Sequence, residues 1–283
     1  MACEICGLGR HSLCHLLSAI CHLIRASGKN DTMRGWLAIF LIPSIAAAEW
    51  NVTGRQESNA GSCQALIINI RNSLAEARIH AVIGRPSELR FRVLNNVDHR
   101  FATVQEAVSK SEALAGVNGG YFQADLSPVG LLISQGKMVH PIARAKLLSG
   151  VFYVRRQKPG LVRVQHFAGI GDVSDAIQCG PFLVETGRSV AGLNNSRNAP
   201  RTFVFLTHGG SWGIGICRSV TLAEMAEILA TDDLFPNGSI TTALNLDGGS
   251  STGFYLARGA ESISSPEWTT VGNYLLLYSA ARK

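Results

Sequence analysis

Short apolar runs, broken every few residues by glycine, asparagine or proline, fill the chain beyond residue 62. Leu66 to Ile70 and Ala77 to Val82 run apolar or alternate with β-branched residues, the pattern of strands with a buried face. Phe91 to Leu94 repeats it. Thr103 to Ala113 differs: Val104, Ala107, Val108 and the following Leu114 lie near helical spacing. The chain then passes through Ala115-Gly-Val-Asn118 into a glycine bend. Val129 to Ile133, Val151 to Val154 and Leu161 to Val164, divided by turn residues, predict successive antiparallel strands. Ala176 to Val184 is interrupted by Gly180-Pro181, which sets a strand edge or bend there. Phe203 to Leu206 and Trp212 to Cys217 read as a hairpin around His208-Gly209-Gly210. Thr221 and Glu224 form a capping box, and Leu222, Met225, Ala226 and Leu229 give the following helix one apolar face. Ala243 to Asp247, Thr252 to Ala257 and Tyr274 to Tyr278 read as further strands. The whole predicts a single α+β domain of many short, mostly antiparallel strands with a few packed helices.

The first 62 residues follow other patterns. Met33-Arg34, the apolar stretch from Gly35 to Ile45 and Ala46-Ala47-Ala48 form a secretory signal peptide read from an internal methionine. Its apolar core of about 11 residues is too short to cross a ~30 Å bilayer as a helix. No stable membrane span is therefore expected after cleavage near Glu49; an uncleaved anchor is the competing reading. Residues 1–32 lie upstream of that start and read as a mis-called extension. Their Cys3-x-x-Cys6 pair beside His11 and His15 also fits a zinc pattern, though no strand or hairpin frames it. Residues 49–62 are polar and aperiodic, a flexible leader to a catalytic domain over 63–283. Export on this reading ends in a periplasm or outside the cell.

Composition narrows the classes. A chain of 283 residues, 46% hydrophobic, supports one large core. The formal charge of +6 is not gathered in any Lys/Arg run, so no nucleic-acid partner is indicated. Removing residues 1–48 takes away four basic and two acidic residues, leaving +4. Cys63, Cys179 and Cys217 remain, which in an oxidising compartment allows one disulfide and leaves a thiol over. His80, His99, His140, His166 and His208 show no ligand spacing. Neither a metal nor another cofactor is expected.

Two corners carry candidate chemistry: Asn118-Gly119-Gly120 and Asp247-Gly248-Gly249-Ser250-Ser251. Each follows an apolar run, so a polar side chain leaves the end of a strand while glycines turn the backbone. Bare glycine amides and two serine hydroxyls suit phosphate oxygens; a plain Asn- or Asp-stabilised turn accounts equally for either corner alone. No lysine follows the glycines as a nucleotide loop requires, and no Gly-x-Ser-x-Gly elbow is present. Arg201-Thr202 enters a strand behind an Asn-rich loop. An arginine there either forks two hydrogen bonds to a phosphate or makes a surface ion pair.

Taken in order, Asn118-Gly-Gly-Tyr-Phe122, Gly180-Pro-Phe-Leu-Val184 with Gly187, Arg201-Thr202, Leu222-Ala-Glu-Met-Ala-Glu227 and Asn245-Leu-Asp-Gly-Gly-Ser-Ser251 resemble the phosphodiester glycosidase family over roughly 110–279. Two departures are Ser250, where the family pattern often has a third glycine, and Phe203-Val204-Phe205, where it usually has a small residue and a glycine. The resemblance implies hydrolysis of a sugar 1-phosphodiester, with a sugar phosphate or envelope glycan as substrate. Arg201 and the Gly248-Gly249 turn are assigned to the phosphate, with Thr202, Ser250 and Ser251 in support. Asp247 is the carboxylate facing the sugar carbon, as base for water or as nucleophile. Asn118, Gly119, Gly120 and Asn245 complete the binding set, the asparagines orienting the sugar or Asp247. Glu185, Asp125 and Glu224 are the candidates for a second carboxylate, and Tyr121 and Phe122 for stacking on a sugar. The alternatives are a non-catalytic glycan-binding module and a phosphodiesterase that breaks the P–O bond.

Overall fold

The apolar runs assemble, in a computed structural model described over residues 49–236, 238–257 and 262–280, into three antiparallel sheets. The expected upstream extension and signal peptide, with their Cys/His pattern, lie outside the described residues. Elements are numbered in chain order. The largest sheet has eight strands in the order β1 (Asn51–Ala60), β2 (Cys63–Arg71), β3 (Glu76–Gly84), β14 (Trp212–Val220), β13 (Ala199–Thr207), β15 (Ile240–Asn245), β11 (Phe182–Glu185) and β12 (Arg188–Ser189). A second sheet orders β7 (Lys137–His140), β6 (Leu132–Ser134), β10 (Val173–Cys179), β8 (Gly150–Arg155) and β9 (Lys158–Arg163). The third orders β17 (Ile263–Ser265), β16 (Phe254–Leu256), β5 (Ala115–Asn118), β18 (Asn273–Ser279) and β4 (Leu89–Asn95).

The main core lies between these sheets. Val82, Val204, Ile214, Ile216, Leu244 and Leu246 from the large sheet meet Phe152, Ile177, Phe254, Leu275 and Leu277 from the other two. The opposite face of the large sheet, with Ile79, Phe203 and Phe205, is covered by helix α2 (Leu222–Leu229) through Met225, Ala226 and Leu229. Helix α1 (Val104–Lys110) lays Val104, Ala107 and Val108 against Tyr274 and Leu276 of the third sheet. Both helices are short and sit outside the sheets, so the domain is sheet-rich, with strands carrying most of the fold.

The capping box forms as expected. Glu224 N–H donates to Thr221 Oγ1 at 3.1 Å, and Thr221 N–H donates to Glu224 Oε2 at 2.8 Å. The hairpin turns at His208 to Ser211, and Pro181 stands in the bend between β10 and β11. One expectation is corrected. Residues 51–60 are not a flexible leader but the edge strand β1, paired with β2 from Asn51↔Arg71 to Ala60↔Cys63. An edge strand needs backbone partners on one side only, so it carries polar residues on most positions; Trp50 is buried at its base. Among the described residues no disulfide forms: Cys63, Cys179 and Cys217 are free and buried, the first two in the main core and Cys217 on the opposite face of the large sheet. Burial pushes the Cys63 and Cys217 thiols up to about 12, and Cys179 is raised as well, which keeps all three protonated and unreactive at neutral pH.

Leu244 is fully buried where all three sheets meet. Leu244→Ala is expected to cost about 2–5 kcal/mol, read as a lower midpoint in urea unfolding. A midpoint unchanged from the parent protein would contradict this account of the core.

Candidate active site

Strands β13 and β15 run antiparallel with Phe203 opposite Asn245. The ladder extends past the end of β15, because Leu246 N–H donates to Thr202 O at 2.8 Å. Continuing that register sets Arg201 opposite Asp247. Directly opposed residues of an antiparallel pair have Cα atoms about 4.5–5.5 Å apart and project to one face. The cation and the carboxylate singled out from sequence thus stem from opposed backbone positions at one end of the sheet. Tyr121 lies within electrostatic reach of both charges.

The two charges do not neutralise each other. Arg201, 8% exposed, donates from Nε to Val220 O at 3.0 Å and from Nη2 to Arg197 O at 2.6 Å. Among the described residues it makes no ion pair, and its Nη1 makes no hydrogen bond. Burial lowers its pKa, but a guanidinium stays charged at any ordinary pH. A desolvated cation held by carbonyls, with one donor edge left over, is poised for an anion. Asp247 is half-buried; burial raises its pKa above the usual aspartate range, with Ser251 and the Gly248 N–H, 2.9 Å from Oδ1, partly offsetting this.

The second corner locks the first in place. Asn118, 0% exposed, accepts at Oδ1 from Thr202 Oγ1 at 2.7 Å and from Gly253 N–H at 3.1 Å. Its Nδ2 donates to Asp247 O at 2.8 Å, and Asp247 N–H donates to Gly119 O at 2.9 Å. The structure therefore brings Asn118, Gly119, Thr202 and Asp247 into one network. It also reassigns several roles. Gly119 and Gly120 do not offer amides to an anion: Gly119 N–H bonds Asn273 O at 2.8 Å and Gly120 N–H bonds Asn273 Oδ1 at 2.7 Å. A Cβ on Gly119 would collide with that Asn273 side chain. Asn118 and Thr202 are buried struts that orient Asp247, with no open face toward a sugar.

The Gly248–Ser251 turn keeps its expected character. A Cβ on Gly248 would sit 2.9 Å from Pro200 O, so β13 passes too close for any side chain, and Gly249 has a left-handed φ of 67°. Among the described residues no hydrogen bond uses the amides of Gly249 and Ser250. Ser250 is exposed and Ser251 buried. Asn245 is buried; its Nδ2 donates to Gly180 O at 3.0 Å and to Tyr121 OH at 3.4 Å, while its Oδ1 has no partner among the described residues. Tyr121 does not present a free ring: its hydroxyl donates to Gly180 O at 2.7 Å and the ring packs on the main core. Phe122 packs beside Tyr274 and α1.

Each expected second carboxylate is engaged elsewhere. Glu185 pairs with Arg163, Glu224 caps α2, and Asp125 accepts from Ser127 in an exposed turn. Three residues went unnoticed in the sequence. Asn273 is one. Glu267 is buried, holds the N-terminus of α1 through Val104 N–H, and keeps Oε2 unpaired. Trp268 is 88% exposed, and its backbone N–H donates to Ser250 O at 2.8 Å, which ties this segment to the aspartate turn. Among the described residues no cluster of metal ligands occurs, and no helix is long and apolar enough to cross a membrane.

Residues 111–278, more than half of the chain, match the family model described as phosphodiester glycosidase. The chain belongs to this family. All of Asn118, Arg201 and Asp247 fall inside the matched region. A curated relative, the uncharacterized protein YigE of Escherichia coli, is 30% identical over 93 residues, covering 30% of this chain and 37% of its own. The chain thus spans little more than a third of that relative. Among solved structures, the zebrafish N-acetylglucosamine-1-phosphodiester alpha-N-acetylglucosaminidase catalytic domain, auto-inhibited by its pro-peptide, aligns with TM-score 0.54 at 16% identity, covering 84% of this chain and 85% of that one. A hypothetical protein from Synechocystis aligns with TM-score 0.55 at 15% identity, covering 80% and 64%. At such identities these two structures speak for a shared fold.

The raised pKa of Asp247 makes stability depend on pH. Its folded value lies above that of the unfolded chain, so the carboxyl costs nothing at pH below the unfolded value and destabilises increasingly as pH rises through the folded one. Asp247→Asn is expected to unfold at a higher temperature than the parent near pH 7, with the gap closing below about pH 4. A gap that does not vary with pH would show that the carboxyl is not strained by burial.

Proposed function

We propose that this protein is an exported hydrolase that cleaves a sugar 1-phosphodiester between the anomeric carbon and the phosphate oxygen. The observation that carries the reading is the opposed backbone placement of Arg201 and Asp247 at one end of the β13–β15 ladder, both groups partly desolvated and neither paired with the other. Such a pair suits a bond whose two sides develop opposite charge. As the C–O bond stretches, the sugar carbon gains oxocarbenium character and the departing phosphate gains negative charge. Asp247 faces the first, as nucleophile or as base for water. The Nη1 edge of Arg201 and the unused Gly249 and Ser250 amides face the second.

A phosphate monoester leaves as a stable anion, so donors aimed at its oxygens replace much of the work of a general acid. This agrees with the engagement of Glu185, Glu224 and Asp125 in other roles. Trp268 offers an aromatic face beside the turn, against which a sugar ring packs.

With an aryl or nucleotide-sugar phosphodiester, Asp247→Asn is expected to lower kcat by about 10²–10⁴-fold and Arg201→Gln by about 10²–10³-fold. Hydrolysis in ¹⁸O water should place the label in the sugar. Label in the phosphate would establish P–O cleavage instead, and saturable binding with no product would reduce the protein to a glycan-binding module.

Trp268→Ala is expected to raise KM about three- to tenfold with kcat nearly unchanged. In the parent protein, substrate should quench the fluorescence of this exposed indole. Identical KM values with and without the indole would remove Trp268 from the site.

A further inference from the structure

Charge is not spread evenly along the chain. Between Asp125 and Asp172 there is no acidic residue, while seven lysines and arginines fall in the same stretch. The rest of the chain from residue 49 carries 15 basic and 18 acidic residues. The positive excess therefore comes from the segment that builds β6 to β9 of the second sheet. Two of its cations are committed: Arg156 pairs with Asp172 and Arg163 with Glu185. Among the described residues Lys137, Arg144, Lys146, Arg155 and Lys158 make no ion pair.

Exposed apolar side chains gather in the same stretch. Of the six large hydrophobic residues exposed among those described, Met138, Ile142, Leu147 and Ile170 lie in it. Single exposed aliphatics are ordinary on a protein surface; a group of them within a field of one charge marks an interaction site.

The sheet sets them on one face. Its inner face gives Phe152 and Ile177 to the main core, and its outer face carries Leu131, Ile133, Val151 and Ala176. Met138 pairs with Ile133 and so shares the outer face. Gln178, two positions after Ala176, returns to that face as well. Its buried amide pins the loop over residues 141–149 there. Nε2 donates to Ala143 O at 2.7 Å and to Leu148 O at 3.1 Å, and Oε1 accepts from Ala143 N–H at 2.9 Å. Leu148 N–H closes a turn on Ala145 O at 3.0 Å, which leaves Lys146 and Leu147 at the tip. The loop before β10 lies over the same face, with Phe167 against Tyr153 and Gly169 O accepting from Arg155, and it carries Ile170. The loop over residues 141–149 also borders the site. A Cβ on Gly180 would fall 2.4 Å from Leu147 O, and Gly180 O is the acceptor shared by Tyr121 and Asn245.

Aliphatic tips among unpaired cations match an anionic lipid surface, whose acyl region takes the first and whose headgroup phosphates take the second. A soluble acidic polysaccharide would use the cations but leave Ile142 and Leu147 in water. We infer that the outer face of the second sheet, led by the turn at Lys146-Leu147, docks this protein on an anionic lipid bilayer. The inference concerns where the protein works and stands apart from which bond it cuts.

Sedimentation with vesicles tests it. The protein is expected to bind vesicles of equal parts phosphatidylglycerol and phosphatidylcholine at least about tenfold more tightly than phosphatidylcholine alone at low salt. Arg144→Gln/Lys146→Gln should weaken that binding about tenfold, and Ile142→Ser/Leu147→Ser by a similar factor. All four residues are exposed, and the unfolding midpoint of each variant without vesicles checks that the fold is kept. Arg71→Gln/Arg85→Gln removes the same charge from the large sheet and should change binding less than twofold, roughly the effect of net charge alone. In the parent protein, amide hydrogen exchange over residues 141–149 should slow with the anionic vesicles, a readout that needs no variant. Unchanged exchange there, equal losses from the two arginine-containing pairs, or no loss from the aliphatic pair overturns the inference. So does tight binding to polygalacturonate with none to vesicles, which would make the face a reader of acidic polysaccharide.

Discussion

One buried amide holds the site together. The Asn118 side chain accepts two hydrogen bonds, from Thr202 and Gly253, and donates one to the carbonyl of Asp247. These partners belong to β13 of the large sheet, to the chain leading into β16, and to the aspartate turn. A fully buried polar group of this kind is costly when any partner is missing, so the three segments are fixed relative to each other wherever the amide is satisfied. Aspartate has nearly the same shape but lacks the donor that Asp247 O requires and would bring a second buried anion. Leucine would leave Thr202 Oγ1 and Gly253 N–H facing an apolar group. Asn273 repeats the device one step back, gripping Gly119 and Gly120. Gly119 is there to let this side chain in and Gly120 to let Ile177 and Gln178 pass, which are packing requirements, not ligand-binding ones.

The arrangement of charge follows from that rigidity. Had Arg201 closed onto Asp247, the pair would have satisfied itself and offered little to a substrate. Its Nε and Nη2 are instead committed to the carbonyls of Val220 and Arg197. The bulge in β14 at Ser219, a residue with a left-handed φ, puts the first of these carbonyls within reach, and the cost of a left-handed non-glycine residue is of order 1–3 kcal/mol. Asp247 in turn folds back on its own turn, to Gly248 and Ser251. Each charge is partly solvated by the protein and partly unsatisfied. On the proposed function, an anion and an electropositive carbon delivered together would complete both.

What the sequence made legible is what is local. The capping box at Thr221, the hairpin before Trp212, the break at Pro181 and the two glycine corners each depend on residues a few positions apart. Strand β1 escaped because its ladder needs only backbone groups, and polar side chains on a sheet edge leave no apolar period to detect. Asn273 escaped because its partners are about 150 residues away in sequence, and one asparagine before an apolar run looks like a strand end. The roles of Gly119 and Gly248 illustrate the same boundary. Both were legible as bends, but whether a glycine is needed for an anion or for a neighbouring strand depends on what passes beside it. The opposition of Arg201 and Asp247 sits between these cases: both residues were visible, and only the pairing of β13 with β15 could set them face to face.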